Sequence, residues 1–143
     1  MKNYKYILSL LALMILGSSP SYSQCSPSDY SQQCITKVQD GFTFLKSFAI
    51  NTEEGSKDKI EYSYVFSKDT DYFLNVCSEN DTNDDIIVTI YDADRKVAST
   101  NFVNNKFFPA IIFSCKSTGI YYISYTFSKP TKTCGGSVLA FKR

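Results

Sequence analysis

Apolar and polar residues alternate with a period of two along most of the chain after Gly41. In one clear run, Ile60, Tyr62, Tyr64 and Phe66 are interleaved with Glu61, Ser63 and Val65. Successive side chains of a β-strand point to opposite faces, so this pattern predicts strands with one buried face. We predict about eight strands, at residues 42–50, 60–66, 72–76, 86–91, 96–102, 110–115, 120–127 and 138–141.

These strands are short, rich in aromatic and β-branched residues, and separated by turn signals such as residues 67–71, 92–95 and 116–119. No helical pattern lies between them, which argues against parallel βαβ units. The sequence therefore predicts an all-β fold, an antiparallel β-sandwich domain over residues 42–143.

One helical stretch precedes the strands. Over residues 28–40, Tyr30, Cys34, Ile35 and Val38 fall near one helical face. Ser28 or Asp29 is expected to cap the start and Gly41 to end the helix. We predict that residues 24–41 form a helical flap packed on the side of the sandwich.

Residues 1–23 have the pattern of a secretory signal peptide. Lys2 and Lys5 precede an apolar run over residues 6–17, and Ser21 and Ser23 are small residues suited to cleavage before Gln24. The alternatives are a membrane anchor, for which the run is short, and a lipoprotein cleaved before Cys25. We expect export to the periplasm, cell surface or medium, with no transmembrane segment after cleavage.

Composition and charge then exclude several functions. The chain has 15 basic and 14 acidic residues, and loss of a leader that holds two lysines would change the formal charge from +1 to −1. No basic stripe is present, so nucleic-acid binding is not expected. The chain has no His, which removes catalytic triads, Cys-His dyads and His-containing zinc sites.

The five cysteines indicate disulfide bonds in an oxidising compartment. Their odd number predicts two bridges and one remaining thiol, which could link two copies of the chain, and the pairing stays open. We expect Cys134 to pair with Cys25 or Cys34. Cys77 and Cys115 each follow a hydrophobic strand, which makes a bridge between these strand ends plausible. Residues 134–137, Cys-Gly-Gly-Ser, are expected to form a glycine turn with half a disulfide rather than a nucleophile, because no base is available.

The strands over residues 60–127 resemble the bacterial pre-peptidase C-terminal domain. The similarity lies in the aromatic strand 62–66, residues 70–74 after a turn, the acidic, hydrophobic and Tyr-Asp run 85–92, and the Gly-x-Tyr-Tyr pattern of residues 118–123. The resemblance implies a jelly-roll-like sandwich that is exported and binds protein, polysaccharide or surface targets. Here we expect the domain to stand alone.

The loop at residues 79–85 is the candidate metal site. Calcium takes six to eight oxygen ligands, and Asp81, Asp84 and Asp85 could supply some of them. The loop lacks the EF-hand order of ligands, and a solvated acidic turn is the competing interpretation. Asp84 and Asp85 do not suit a glycosidase pair, since adjacent residues of a strand point to opposite faces. We expect no other cofactor.

The tyrosines offer the candidate binding surface. Tyr121 is expected to form a tyrosine corner. Ile123, Tyr125 and Phe127 are expected to share its inward face, and Tyr64 and Phe66 are expected on the inward face of their own strand. Phe73, Tyr91 and Tyr122 are expected on the other faces, either exposed for a protein or sugar ligand or covered by the flap. We therefore predict a non-catalytic binding module for protein or glycan. The alternative is a structural or assembly component of the cell envelope that acts by pairing edge strands with a partner.

Overall fold

The computed structural model describes residues 25–52, 58–79, 85–129 and 131–143. These ranges contain one helix and ten strands. The proposed signal peptide lies outside the described residues. In chain order the elements are α1 (Pro27–Thr36), β1 (Thr43–Asn51), β2 (Lys59–Phe66), β3 (Asp71–Ser78), β4 (Ile86–Tyr91), β5 (Val97–Thr100), β6 (Phe102–Val103), β7 (Lys106–Phe107), β8 (Ala110–Ser114), β9 (Gly119–Phe127) and β10 (Cys134–Lys142).

Eight of the strands form two antiparallel four-stranded sheets. Sheet A has the order β1-β10-β3-β8 and sheet B the order β2-β9-β4-β5. The pairs are nested, because β1 pairs with β10, β2 with β9, β3 with β8 and β4 with β5. A long antiparallel ribbon folded over in this way is a jelly roll. The predicted all-β sandwich is therefore confirmed.

The core lies between the two sheets and contains the inward residues of both. Phe66 on β2 stacks on Tyr72 of β3 at 4.0 Å and on Tyr121 of β9 at 5.0 Å between ring centroids. Tyr121, Ile123 and Tyr125 are buried in this core and Phe127 packs against it, which confirms the predicted inward face. The period-two pattern thus assigned the faces of β2 and β9 correctly.

Strands β6 and β7 form a separate hairpin that the sequence pattern did not predict. Asn104 and Asn105 join the strands, and both have positive φ angles, 51° and 58°. Two left-handed residues match the mirror-image turn that fits the twist of a two-residue hairpin. The predicted strand at 96–102 consequently ends at Thr100, where Asn101 turns the chain into the hairpin.

Helix α1 packs on the outer face of sheet A, across β10, β1 and β3. It ends at Thr36, earlier than predicted, and Gly41 instead occupies a turn with φ of 87° before β1. The predicted caps are also wrong: Ser26 is at the capping position without a side-chain cap bond, and Pro27 occupies the first turn. Proline suits this position because its φ is already helical and it needs no amide partner.

Close packing of α1 depends on Gly136 in β10. A Cβ at this position would lie 2.5 Å from the backbone nitrogen of Ser31 and 2.8 Å from the carbonyl carbon of Tyr30. Neither backbone atom can move without shifting the helix. Strand β10 begins at Cys134, so the Cys-Gly-Gly-Ser segment is part of a strand and the predicted glycine turn is wrong.

Replacing Gly136 with alanine is expected to lower the free energy of unfolding by about 1–3 kcal/mol, as overpacking does elsewhere. Urea denaturation of the oxidised protein measures the change. Gly119→Ala is the matched control, since a Cβ there meets nothing within 4 Å, and a shift of under about 0.5 kcal/mol is expected for it. Equal effects of the two substitutions would contradict the role of Gly136.

Two disulfides hold the fold, Cys25–Cys134 and Cys34–Cys77, and Cys115 is a buried free thiol. The predicted partner of Cys134 is confirmed as Cys25, but the predicted Cys77–Cys115 bridge is wrong. Strands β3 and β8 run antiparallel, so Cys115 lies beside the start of β3, where its N–H donates to the carbonyl of Thr70. Cys77 lies at the other end of β3, roughly 20 Å away. Burial also removes Cys115 as the predicted link between two copies.

None of the helices in the described ranges has the length and apolar character needed to cross a membrane.

Candidate interaction surface

The two outer faces of the sandwich differ in what covers them. The outer face of sheet A is packed against α1 and further covered by Phe42, whose ring lies 5.5 Å from that of Phe73. No described residue forms an equivalent layer over the outer face of sheet B. Phe73 is therefore buried against Phe42, which lies just outside the predicted flap. Tyr91 and Tyr122 remain half-exposed on the outer face of sheet B.

Strand register brings five apolar or aromatic side chains together on this uncovered face. Val65 of β2 is directly opposite Ile120 of β9, and Tyr122 of β9 is directly opposite Tyr91 of β4. Tyr91 in turn pairs with Val97 of β5 across a register shift. Val65 is 58% exposed and Ile120 49% exposed. We call Val65, Ile120, Tyr122, Tyr91 and Val97 the outer patch.

A charged group lies against one ring of the outer patch. The guanidinium of Arg95 stacks over Tyr122, 3.6 Å from the ring centroid, and its Nη1 is 2.7 Å from Oε1 of Glu61. The position of Arg95 follows from the turn between β4 and β5, where it adopts a φ of 65° and Asp92 Oδ1 accepts a bond from the N–H of Lys96. This stacking leaves one face of Tyr122 occupied.

Glu61 is held in its charged form by two cations. The hydrogen bond from Arg95 is the main reason that the pKa of Glu61 is lowered, and Lys59 Nζ, 3.2 Å from Oε2, acts in the same direction. The same hydrogen bond raises the pKa of Arg95. The charges at this end of the face are thus already paired within the chain.

A shallow depression of about 380 Å³ opens beside the aliphatic end of the outer patch. It is lined by Ser63, Tyr64, Val65 and Ile120. Lys59 and Glu61 lie further along β2, and the segment of β2 from Ser63 to Phe66 carries no charge. The depression is therefore a largely apolar contact site at the edge of sheet B.

No known protein family matches the sequence, and no curated protein matches it. Among solved structures, the fold is similar to the crystal structure of PliG from Aeromonas hydrophila, a periplasmic lysozyme inhibitor of g-type lysozyme. The two share 13% sequence identity at a TM-score of 0.44, over 73% of this chain and 91% of that chain. A likeness at this level says nothing about the ligand of this chain. The resemblance to the pre-peptidase C-terminal domain stays a prediction.

Most of the predicted metal site lies outside the described residues, including Asp81 and Asp84. Asp85 is described and fully buried, with Oδ1 3.3 Å from Lys129 Nζ and Oδ2 without a hydrogen-bond partner among the described residues. The described ranges contain no group of three or more residues that could hold a metal ion. Calcium binding by the 79–85 loop therefore stays a prediction.

The tyrosine corner predicted at Tyr121 is confirmed. Its hydroxyl donates to the carbonyl oxygen of Ser117 at 3.0 Å, and burial raises the pKa of Tyr121 to about 12. Tyr125 is also structural, because its buried hydroxyl donates to Ser137 Oγ, which in turn donates to the carbonyl of Asn75. Burial raises the pKa of Tyr125 as well. Both phenols stay neutral at physiological pH and serve the core.

Sequence reasoning found the two tyrosines of the outer patch but missed its aliphatic part. Val65, Ile120 and Val97 are apolar residues at the outward positions of their strands, a departure from strict alternation that could have marked them. The stacking of Arg95 on Tyr122 could not be found in this way, because it depends on the pairing of β4 with β9.

Proposed function

We propose that this chain is an exported, non-catalytic binding module that engages a protein ligand through the outer patch on sheet B. The observation that carries the proposal is the contrast between the two outer faces. Helix α1 packs over β10, β1 and β3 of sheet A and leaves Ile112 exposed on the edge strand β8, whereas sheet B displays the clustered apolar side chains of the outer patch. Sandwich sheets that face solvent normally carry polar side chains outward. Apolar residues clustered on such a face indicate contact with another surface.

The outer patch suits a partner because its backbone is already ordered. Its residues lie on β2, β9, β4 and β5. The inward side chains of β2, β9 and β4 are packed in or against the core, so contact requires little further ordering of the main chain. Half-exposed tyrosines add contact area at low entropic cost. The two disulfides restrict the unfolded chain and support the same rigid scaffold.

The geometry favours a protein over a glycan as the ligand. Sugar rings stack on free aromatic faces, whereas one face of Tyr122 is taken by the Arg95 guanidinium at 3.6 Å. Val65, Ile120 and Val97 offer aliphatic area without hydrogen-bonding groups for sugar hydroxyls. A module of the pre-peptidase C-terminal type could bind either a protein or a glycan. A fixed protein partner in the cell envelope would also contact the outer patch.

The absence of catalysis is supported by side-chain chemistry. The chain has no His to act as a base near neutral pH. Ser137 is buried and Cys134 is bridged to Cys25, so the Cys-Gly-Gly-Ser segment offers no free nucleophile. Arg95 and Lys59 hold Glu61 in its charged form. Glu61 therefore suits a role in surface ion pairs better than a role as a proton donor.

The test is affinity capture from envelope and medium fractions with the oxidised protein, followed by cross-linking from a photoreactive residue introduced on β9. We expect a specific protein to be retained, and retention to fall at least about tenfold, or 1.4 kcal/mol, for Val65→Lys and for Ile120→Lys. Lysine at either position places a charge in the apolar contact. Ile112→Lys is the matched control, because Ile112 is 56% exposed but lies on sheet A.

Two results would contradict the proposal. Equal retention by all three variants would place the contact elsewhere on the molecule. Retention on a glycan array that is lost in a Tyr91→Ala variant, with no protein captured, would make the ligand a sugar.

A further inference from the structure

The four edge strands of the sandwich differ in how well they resist pairing with another chain. Strand β1 has an irregular register between Phe44 and Lys46, β8 has five residues and follows Pro109, and β5 has four residues. Bulges, proline and short length all hinder strand addition. Strand β2 has none of these features, since its eight residues pair with β9 without a register shift.

The backbone of β2 has an open side. In an antiparallel pair, alternate residues direct their N–H and C=O groups away from the partner strand. Strand β2 pairs on one side with β9, and no described residue pairs with it on the other. Those groups can form a further ladder of hydrogen bonds with an added strand.

Side-chain chemistry divides β2 into two halves. Lys59 and Glu61 form an ion pair in the first half, while the second half, from Ser63 to Phe66, is uncharged. The 380 Å³ depression lined by Val65 and Ile120 lies beside this uncharged half. An added strand would therefore hold one of its alternate side chains over the depression, where an apolar side chain is favoured.

We propose that the open edge of β2 accepts an extended, uncharged segment of a partner protein as a fifth strand of sheet B. Main-chain hydrogen bonds to β2 supply the pairing, and an apolar side chain in the depression beside Val65 and Ile120 supplies selectivity. The inference rests on the proposed function, because it assigns the mode by which a protein ligand engages the outer patch.

The register of β2 disfavours a second copy of this chain as the added strand. Directly opposed residues in an antiparallel pair point to the same face. Two symmetric overlaps of β2, each about seven residues long, satisfy this rule. One opposes Lys59 with Val65 and Glu61 with Ser63; the other opposes Glu61 with Val65 and leaves Lys59 beyond the overlap. Neither charge then meets an opposite charge, so the occupant is a foreign segment.

Selection from a display library of random eight-residue peptides, with the oxidised protein as target, tests the inference. We expect the selected peptides to be uncharged, with apolar residues at alternate positions. The best peptide is then synthesised in two forms, each with one alternate set of backbone amides N-methylated. Methylation of the set facing β2 is expected to weaken binding at least about tenfold, whereas methylation of the other set has little effect.

Protein variants separate this inference from the proposed function. Val65→Lys is expected to abolish peptide binding, while Ile112→Lys retains it. If both N-methylated peptides bind like the parent while Val65→Lys still weakens binding, strand addition is wrong and side-chain docking on the outer patch stands. Failure to select any peptide, while a protein is retained through the outer patch, overturns strand addition alone. A dimer of the wild-type chain by light scattering, lost in Val65→Lys, would make the occupant a second copy.

Discussion

Removal of the Cys34–Cys77 bridge by a double substitution to alanine is expected to lower the free energy of unfolding by about 4 kcal/mol. The two cysteines are separated by 43 residues, and in the chain-entropy view a bridge over such a loop restricts the unfolded chain by roughly this amount. The loss is large because domains of this size are stable by only about 5–15 kcal/mol.

The structure adds a local consequence to this loss of stability. Cys34 lies on α1 and Cys77 at the end of β3, so the bridge fastens the helix to the outer face of sheet A. Without it, α1 is held by the Cys25–Cys134 bridge just before its start, by packing around Val138 and Gly136, and by the bond from Asn75 Nδ2 to the carbonyl of Cys34. We expect amides of α1 to lose hydrogen-exchange protection before those of the sheets.

Urea denaturation and hydrogen exchange of oxidised wild type and the double variant measure both effects. Cys115→Ala is the matched control, since it removes a buried cysteine and leaves both bridges intact, and a loss of only about 1 kcal/mol is expected for it. A double variant as stable as this control, or one in which α1 stays as protected as β10, would show that the helix is held without the Cys34–Cys77 bridge.

The strands of this fold were predictable because apolar residues recur at alternate positions, and these positions are the buried ones. In β9, Tyr121, Ile123 and Tyr125 all enter the core, and the outward residues between them are visible in the sequence. Sheet order was not predictable in the same way, because nested pairing of β1 with β10 joins residues far apart along the chain. Alternation assigns each residue to a face but not to a neighbouring strand.

The disulfide error has the same origin. Cys77 and Cys115 each follow a hydrophobic strand, which made a bridge between strand ends plausible. The strands are neighbours but antiparallel, so these two strand ends lie at opposite ends of sheet A. The bridge from Cys77 instead reaches Cys34 on α1, whose position over sheet A is set by the small Gly136. The local sequence of a helix does not indicate where on a sheet the helix will pack.

The candidate surface was predictable only in its aromatic residues. Tyr91 and Tyr122 stood out as outward aromatics, but the other residues of the outer patch come from three strands, β2, β9 and β5. Val65 and Ile120 meet because β2 pairs with β9 in one register, and Arg95 reaches Tyr122 across strands from its turn. Cross-strand contacts of this sort require the pairing, which is a property of the whole fold.

Replacement of Asn101 is the second change expected to have a large effect. This residue is fully buried where the chain leaves β5 for the β6–β7 hairpin. Its Oδ1 accepts a bond from the N–H of Val88 at 2.8 Å, and its Nδ2 donates to the carbonyls of Ile86 at 3.0 Å and Phe108 at 3.2 Å. The asparagine side chain thus supplies hydrogen-bond partners to three backbone groups, which are buried or partly buried.

An Asn101→Leu substitution fills similar space but leaves these three groups without partners. Each unsatisfied buried group costs about 1–3 kcal/mol, so we expect the free energy of unfolding to fall by at least about 3 kcal/mol. Urea denaturation measures the change, read as a lower midpoint at an unchanged slope.

Asn105→Gly at the exposed hairpin tip is the matched control. Glycine is favoured at this left-handed position of the turn, so its stability should equal or exceed that of wild type. A loss under about 1 kcal/mol for Asn101→Leu would mean that water or a rearranged hairpin satisfies the three backbone groups, and that the hairpin is not fastened to β4 through this side chain.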